Sequence, residues 1–232
     1  LAADQYRSDI SVPTGSGAIL GGFYINATNY CFRNNAGGTA TGLWKSSSSG
    51  WTAVTLYNEI SFTLGGATEP AEGTTLTQGG VTATIKRVVL TSGTFASNTA
   101  AGRLIITNPA GGNYGAGAAT VGAINFTLTA IQTAITLSPS GRYEHYKENF
   151  GGAANATRVY GCDGVNRGFE FDPTGDIYVP ISTGMTTDTP THVYAHKKQL
   201  FFSFVGSVQH AAPGTPYIWS AILGAAELAM GD

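Results

Sequence analysis

Thr157-Arg-Val-Tyr-Gly-Cys-Asp-Gly-Val-Asn-Arg-Gly-Phe-Glu-Phe-Asp172 and Thr191-His-Val-Tyr-Ala-His-Lys-Lys-Gln-Leu-Phe-Phe-Ser-Phe204 are two versions of one pattern. In each, a Thr-basic-Val-Tyr strand leads into a polar turn and an aromatic strand returns. Val159 and Val193 lie 34 residues apart, as do Tyr160 and Tyr194. Recurrence at that period, built from short strands, points to a repeat architecture. Residues 18–64 hold a looser copy. Ala18–Ile25, Tyr30–Arg33, Gly42–Lys45 and Trp51–Leu56 read as strands separated by Asn26–Asn29, Asn34–Gly38 and Ser46–Gly50, with Glu59–Leu64 extending the meander. Strands spaced this closely with turn signals between them indicate all-β structure, and four consecutive strands per unit suggest propeller blades.

Composition shifts at Gly65-Gly66. Residues 65–137 are rich in Gly, Ala and Thr, and their charges are Glu69, Glu72, Lys86, Arg87 and Arg103. Ile124, Phe126, Leu128 and Ala130 alternate with Asn125, Thr127 and Thr129, the period of a half-buried strand. With Val81–Leu90, Arg103–Thr107 and Ala134–Leu137 they predict a small β-barrel or sandwich inserted between blades. The expected division is therefore 1–64 (propeller strands), 65–137 (inserted module) and 138–232 (further blades). Arg142–Phe150 resumes the meander, with Tyr143 and His145 on one face and Glu144 and Tyr146 on the other. Ala221–Met230 reads as a short helix or the beginning of another blade.

Charged residues make up 11% of the chain and the net charge is −2, so no basic footprint for nucleic acid or an anionic membrane is present. No apolar run has the roughly 20 residues of a spanning helix. Cys31 and Cys162 lack zinc spacing, and a single bridge between them stays open. A chain that starts Leu1-Ala-Ala3 reads as a piece of a longer one.

The chemical candidates are weak. His192 and His196 on a strand stand about 13 Å apart, too far to share a metal. Asp163–Asn166 and Asp172–Asp176 have calcium-like spacing but too few oxygens, and Asx turns explain both. Glu144, Glu148, Glu170 and Asp172 are the carboxylates from which a glycosidase pair would come. Gly111–Gly117 lacks the lysine and following helix of a phosphate loop. No Gly-x-Ser-x-Gly elbow exists. The acceptor patterns at Asn26, Asn125 and Asn155 are expected by chance in an Asn/Thr-rich chain. We therefore assign no catalytic, cofactor-binding or metal residues. Phe23, Phe32, Trp44 and Trp51 are expected to fill inter-blade space, and so are Tyr160, Tyr194, Phe171 and Phe204.

Three stretches carry a resemblance: Tyr30–Asn35 with Leu43–Ser46 and Gly50-Trp51; Gly141–Glu144 with Asn149–Gly152 and Gly161–Asp172; and Asp188–Val193 with Leu200–Phe204, Gly206–His210, Tyr217–Ser220 and Gly224–Glu227. Together they resemble propeller-bearing bacteriophage tail proteins of the nozzle or tube type, also found in prophages. The Thr74–Leu137 module, with Ala101–Ile105, is similar to one such proteins carry between blade strands. The resemblance implies a non-enzymatic virion component, assembled as a homo-oligomeric ring beside other tail and portal-adaptor proteins, through which genomic DNA passes. About three blades are recognisable where closed propellers typically have four to eight. The expectation is that more chain or partner blades complete the ring. The alternative is a carbohydrate-binding surface or adhesin propeller, in which Trp44, Trp51 and Trp219 line sugar sites; a polysaccharide-degrading propeller is a third and weaker one.

Overall fold

The structure is a computed structural model that describes residues 11–153 and 156–229. The sequon at Asn155, the start at Leu1 and Met230 lie outside the described residues. Nineteen strands and one 3-10 turn, at Ala221–Leu223, make up the regular structure of the described residues. The all-β expectation holds.

Three four-stranded antiparallel meanders follow the chain, each with its strands in sequence order. The first is β1 (Ser16–Ile25), β2 (Thr28–Asn34), β3 (Thr41–Ser47) and β4 (Gly50–Ala53). Between it and the second sheet come β5 (Asn58–Gly65), β6 (Thr75–Gln78), β7 (Val81–Ser92), β8 (Ala100–Ile106), β9 (Gly117–Val121), β10 (Ile124–Leu128) and β11 (Thr133–Ala134). The second sheet is β12 (Glu144–Glu148), β13 (Arg158–Cys162), β14 (Phe169–Asp172) and β15 (Ile177–Pro180). The third is β16 (His192–His196), β17 (Gln199–Ser203), β18 (Ser207–His210) and β19 (Ala226–Ala229), so the C-terminal segment ends in a fourth strand.

The inserted strands close into a six-stranded barrel, ordered β5-β8-β7-β6-β9-β10 and back to β5 through Thr127↔Thr63 and Leu128↔Phe62. Closure leaves no free edge among these six strands. Phe62, Leu76, Ile85, Leu104, Ile106, Phe126 and Leu128 fill it. The Tyr114 hydroxyl donates to the Leu76 carbonyl (2.8 Å), which pins the Gly111–Gly117 connection to the wall. Strand β9 follows that connection, so the phosphate-loop reading has no support there.

Two expectations are corrected. Glu59–Leu64 does not extend the first meander, because β5 pairs with β8, β10 and β11. Its alternation of Ile60 and Phe62 marks a half-buried strand without naming a partner, and the Gly65-Gly66 composition shift falls at the end of β5, within the barrel, after a register irregularity between Phe62 and Gly65. The 34-residue correspondence is also out of phase. Arg158–Tyr160 lies on the second strand of its sheet and His192–Tyr194 on the first strand of the next. Tyr160 is accordingly buried in the core, whereas Tyr194 is 57% exposed. A strand, turn and return recur in any hairpin; a better equivalence is β1–β2 with β16–β17. Both turn through two positive-φ residues, Asn26-Ala27 and Lys197-Lys198, as tight hairpins favour.

The sheets pack through aromatic faces. Phe23, Tyr30, Phe32 and Leu43 of the first sheet meet Val159, Phe169, Phe171 and Tyr178 of the second. Tyr143 stacks on Phe32, and His145 lies against Phe23. Glu144 and Tyr146 turn the other way, to His192 and Tyr194 of the third sheet. The second and third sheets share Tyr160, Cys162, Leu200, Phe202 and Phe204. Trp44 and Trp51 are only half-buried, and Trp219 stacks on Phe202. Cys31 and Cys162 are both buried and free. Among the described residues no helix is long and apolar enough to cross a membrane.

The barrel seats on the sheets through Val89 and Ile105, which leave its interior to join the first core. Gly102 sets the wall spacing behind them, since a Cβ there would lie 1.9 Å from the Val89 carbonyl oxygen. Gly102→Ala is therefore expected to lower stability by about 3 kcal/mol, at the upper end of overpacking costs. Denaturant unfolding measures this; a loss below about 1 kcal/mol would contradict the tight-wall argument.

Candidate functional site

The site starts from a register fault. Along β7, Ala83 and Ile85 point into the barrel, and strict alternation would send Arg87 after them. A β-bulge between Ile85 and Arg87 inserts Lys86 and reverses the parity. Val88 and Leu90 then fill the barrel, while Arg87 and Val89 face out toward the sheets. On β14, Glu170 and Asp172 are two apart and share a face, both nearly inaccessible at 3% and 2%.

The outward turn brings the Arg87 guanidinium against both carboxylates: Nη2 is 2.6 Å from Asp172 Oδ2 and 3.2 Å from Glu170 Oε1. Its Nη1 reaches Glu72 Oε1 at 3.0 Å. Arg158, from β13, closes the other side, with Nη2 2.9 Å from Asp172 Oδ2 and Nε 3.7 Å from Glu170 Oε1. The Tyr160 hydroxyl donates to Glu170 Oε2 at 3.0 Å. Asp172 Oδ1 also accepts from the Thr174 backbone N–H (2.9 Å), the turn function expected of it. Glu69, Glu72, Arg87, Arg158, Tyr160 and Tyr217 line a cleft of about 290 Å³ where the barrel meets the second and third sheets.

Burial acts to lower the Arg87 pKa, but Glu170 and the other nearby acids outweigh it and hold the guanidinium firmly charged. Burial pushes the Tyr160 and Tyr217 phenols up, and Glu170 adds to both shifts. They remain proton donors across the working pH range. Burial also raises the Glu72 carboxyl, against the pull of Arg87. The Tyr217 hydroxyl, Arg87 Nε and Arg158 Nη1 are buried and have no hydrogen-bond partner.

Chemically this is an ion-pair junction. Glu170 and Asp172 converge, as a hydrolytic pair would, but each is held by arginines, an arrangement suited to cross-linking the barrel and the second sheet. The remaining candidates lie elsewhere. Glu144 Oε2 meets His192 Nδ1 at 2.9 Å, and Glu148 sits 3.9 Å from Lys198. His196 is exposed on the same strand as His192, and no metal-binding cluster occurs among the described residues. Asp163 accepts from the Val165 and Asn166 backbone N–H groups at 2.9 and 2.6 Å, an Asx turn as expected. Spacing pointed to Glu170 and Asp172 but missed Arg87, Glu72 and Tyr217. Nothing in the sequence relates Arg87 to strands some eighty residues later, because the link exists only through the bulge.

Compared with protein-family models, with curated proteins and with solved structures, the chain matches none.

Two outcomes follow from the junction. Arg87→Met leaves Glu170 and Asp172 buried with Arg158 alone, and is expected to cost about 3–5 kcal/mol in denaturant unfolding, as broken buried pairs do. A loss under 1 kcal/mol would mean that the pairs are loose. Glu72 has a folded pKa above its unfolded value, so it favours folding most below the ordinary carboxylate range and loses that contribution as pH rises through the folded value. Glu72→Gln should therefore be at least as stable as wild type at pH 7 and lose that advantage at pH 4. Unfolding midpoints at the two pH values decide it; a variant clearly weaker at pH 7 would refute the sign.

Proposed function

We propose that this chain is a non-enzymatic structural component of a bacteriophage tail, whose three meander sheets are propeller blades and whose copies assemble as a ring around the DNA path. One observation carries the reading. The first strands of successive sheets lie side by side, β1 beside β12 and β12 beside β16, as the inner strands of blades do around a propeller axis. The order of strands within each sheet supports the same arrangement.

Two further features fit a conduit. Charged side chains are few, and Lys45–Asp176, Arg167–Glu59 and the Arg87 cluster are engaged in ion pairs between parts of the chain. A wall so neutralised has little hold on passing phosphates. The outward face of the third sheet carries Tyr194 beside Phe201 in one row, continued by His210 and Ala226, and Val208 beside Leu228 in the next, continued by Ser203 and His192. Tyr194 and Leu228 are more than half exposed, and Val205 and Ile222 lie almost fully open nearby. Exposed apolar pairs of this kind suit contact with a neighbouring copy or tail protein.

Sedimentation and electron microscopy of the purified protein test the proposal. Closed rings of several copies with a central channel are expected, and Tyr194→Glu with Leu228→Glu should leave smaller species of unchanged unfolding midpoint. A protein that stays monomeric at about 100 μM, well above the micromolar range of ordinary associations, and that is missing from tail particles would sink it.

A further inference from the structure

At the opposite end of the stack, the outer face of the first sheet holds a trough of about 520 Å³, inside the roughly 300–1,000 Å³ range of small-ligand sites. Its construction follows from strand register. Tyr24 pairs with Asn29 across β1–β2, the Asn29 backbone N–H donates to Ser46 Oγ (3.0 Å), and Ser46 pairs with Trp51 across β3–β4. One row therefore reads aromatic, amide, hydroxyl, aromatic, with the rings three strands apart. Interstrand spacing puts them about 14 Å from each other. His145 and Lys147 of β12 form the side wall beyond β1, and Lys147 Nζ stands 5.9 Å from the centre of the Tyr24 ring. Gly22 keeps the floor low, since a Cβ there would meet the Tyr30 carbonyl oxygen at 2.7 Å.

From this row we infer that the trough is a binding site for consecutive pyranose units of a neutral glycan. Aromatic faces at either end match the apolar C–H faces of sugar rings, and the groups between them match ring hydroxyls. The Asn29 amide supplies a donor and an acceptor, Ser46 a hydroxyl, and Lys147 a donor. Burial and the Lys147 charge lower the His145 pKa, so near neutral pH its imidazole offers one donor and one acceptor. Peptides and nucleic acids fit less well. A strand added at the β4 edge would run along that edge and leave the row, which crosses the sheet face, uncovered, and Lys147 is the one cation among the groups named. Glycan binding here is independent of the tail reading, and it selects Trp51 over the other two tryptophans. Trp44 is outside the trough lining, and Trp219 stacks on Phe202 of the third sheet.

Titration calorimetry of the whole protein against neutral oligosaccharides of hexose and N-acetylhexosamine units tests it. At least one should bind. Trp51→Ala and Tyr24→Ala should each weaken that binding about tenfold or more, Trp51→Phe should retain most of it, and Tyr194→Ala on the far sheet should leave it unchanged. Unfolding midpoints near that of wild type would establish that the variants fold, and Asn29→Asp provides a second probe with smaller packing consequences. Failure of every oligosaccharide to bind overturns the proposal. So does binding that survives both aromatic deletions, or variants that change only the assembly state, which would make the trough a contact between copies.

Discussion

The Arg87 guanidinium, buried between Glu170 and Asp172, is the contact on which the arrangement of parts depends. Moving a cation and two carboxylates out of water costs several kcal/mol per ion before any pairing, and only close geometry offsets it. Here the geometry is set by a single inserted residue. Without the bulge at Lys86, Arg87 would project into a barrel lined by Leu76, Ile85 and Phe126, where a charge has no partner. The bulge thus does two jobs: it keeps the barrel interior apolar and hands the second sheet a cation. Val89 travels with it into the shared core, so ionic and apolar contacts are made by the same short segment.

The other seams are built in the same way. Lys45 and the Tyr30 hydroxyl both meet Asp176, joining the first sheet to the second. Arg103 and Arg167 meet on Glu59, and Arg103 also donates to the Pro180 carbonyl at 2.7 Å, joining barrel to second sheet. His192 and Glu144 join second to third. A chain with so few charges places many of them where its layers touch. Apolar faces tolerate sliding and rotation; paired ions with fixed partners do not. The ion pairs set the positions of the sheets, and the aromatic cores supply most of the attraction.

What the sequence reveals follows the range of each interaction. Turns and alternation are local, so the meanders, the inserted β module and the facing of Tyr143 and His145 are legible in the order of residues alone. Barrel closure is not, since Thr127↔Thr63 and Leu128↔Phe62 pair residues some 65 positions apart with no distinguishing side chains. The same limit placed Glu59–Leu64 in the wrong sheet. Phase within the repeat failed for another reason. Thr-basic-Val-Tyr describes a strand entering a hairpin, and the hairpin is first in one sheet and second in another. Tyr160 and Tyr194 share a sequence context but not an environment. The ion junction was half legible: Glu170 and Asp172 stand out as paired carboxylates, while their cation is hidden behind a bulge that no periodicity announces.

The two ends of the sheet stack differ in kind, and the difference follows from side-chain parity. In the first sheet, the residues facing away from the core include Tyr24, Asn29, Ser46 and Trp51, a row with polar groups at its centre. In the third, the outward rows run Tyr194, Phe201, His210, Ala226 and His192, Ser203, Val208, Leu228, with a large apolar pair at one end of each. Burying those apolar pairs against a protein surface releases water from apolar area. Covering the row on the first sheet would strand an amide and a hydroxyl unless the partner supplied matching groups. The asymmetry is in keeping with both proposals, a protein contact at the apolar pairs of the third sheet and a hydroxyl-rich partner at the first.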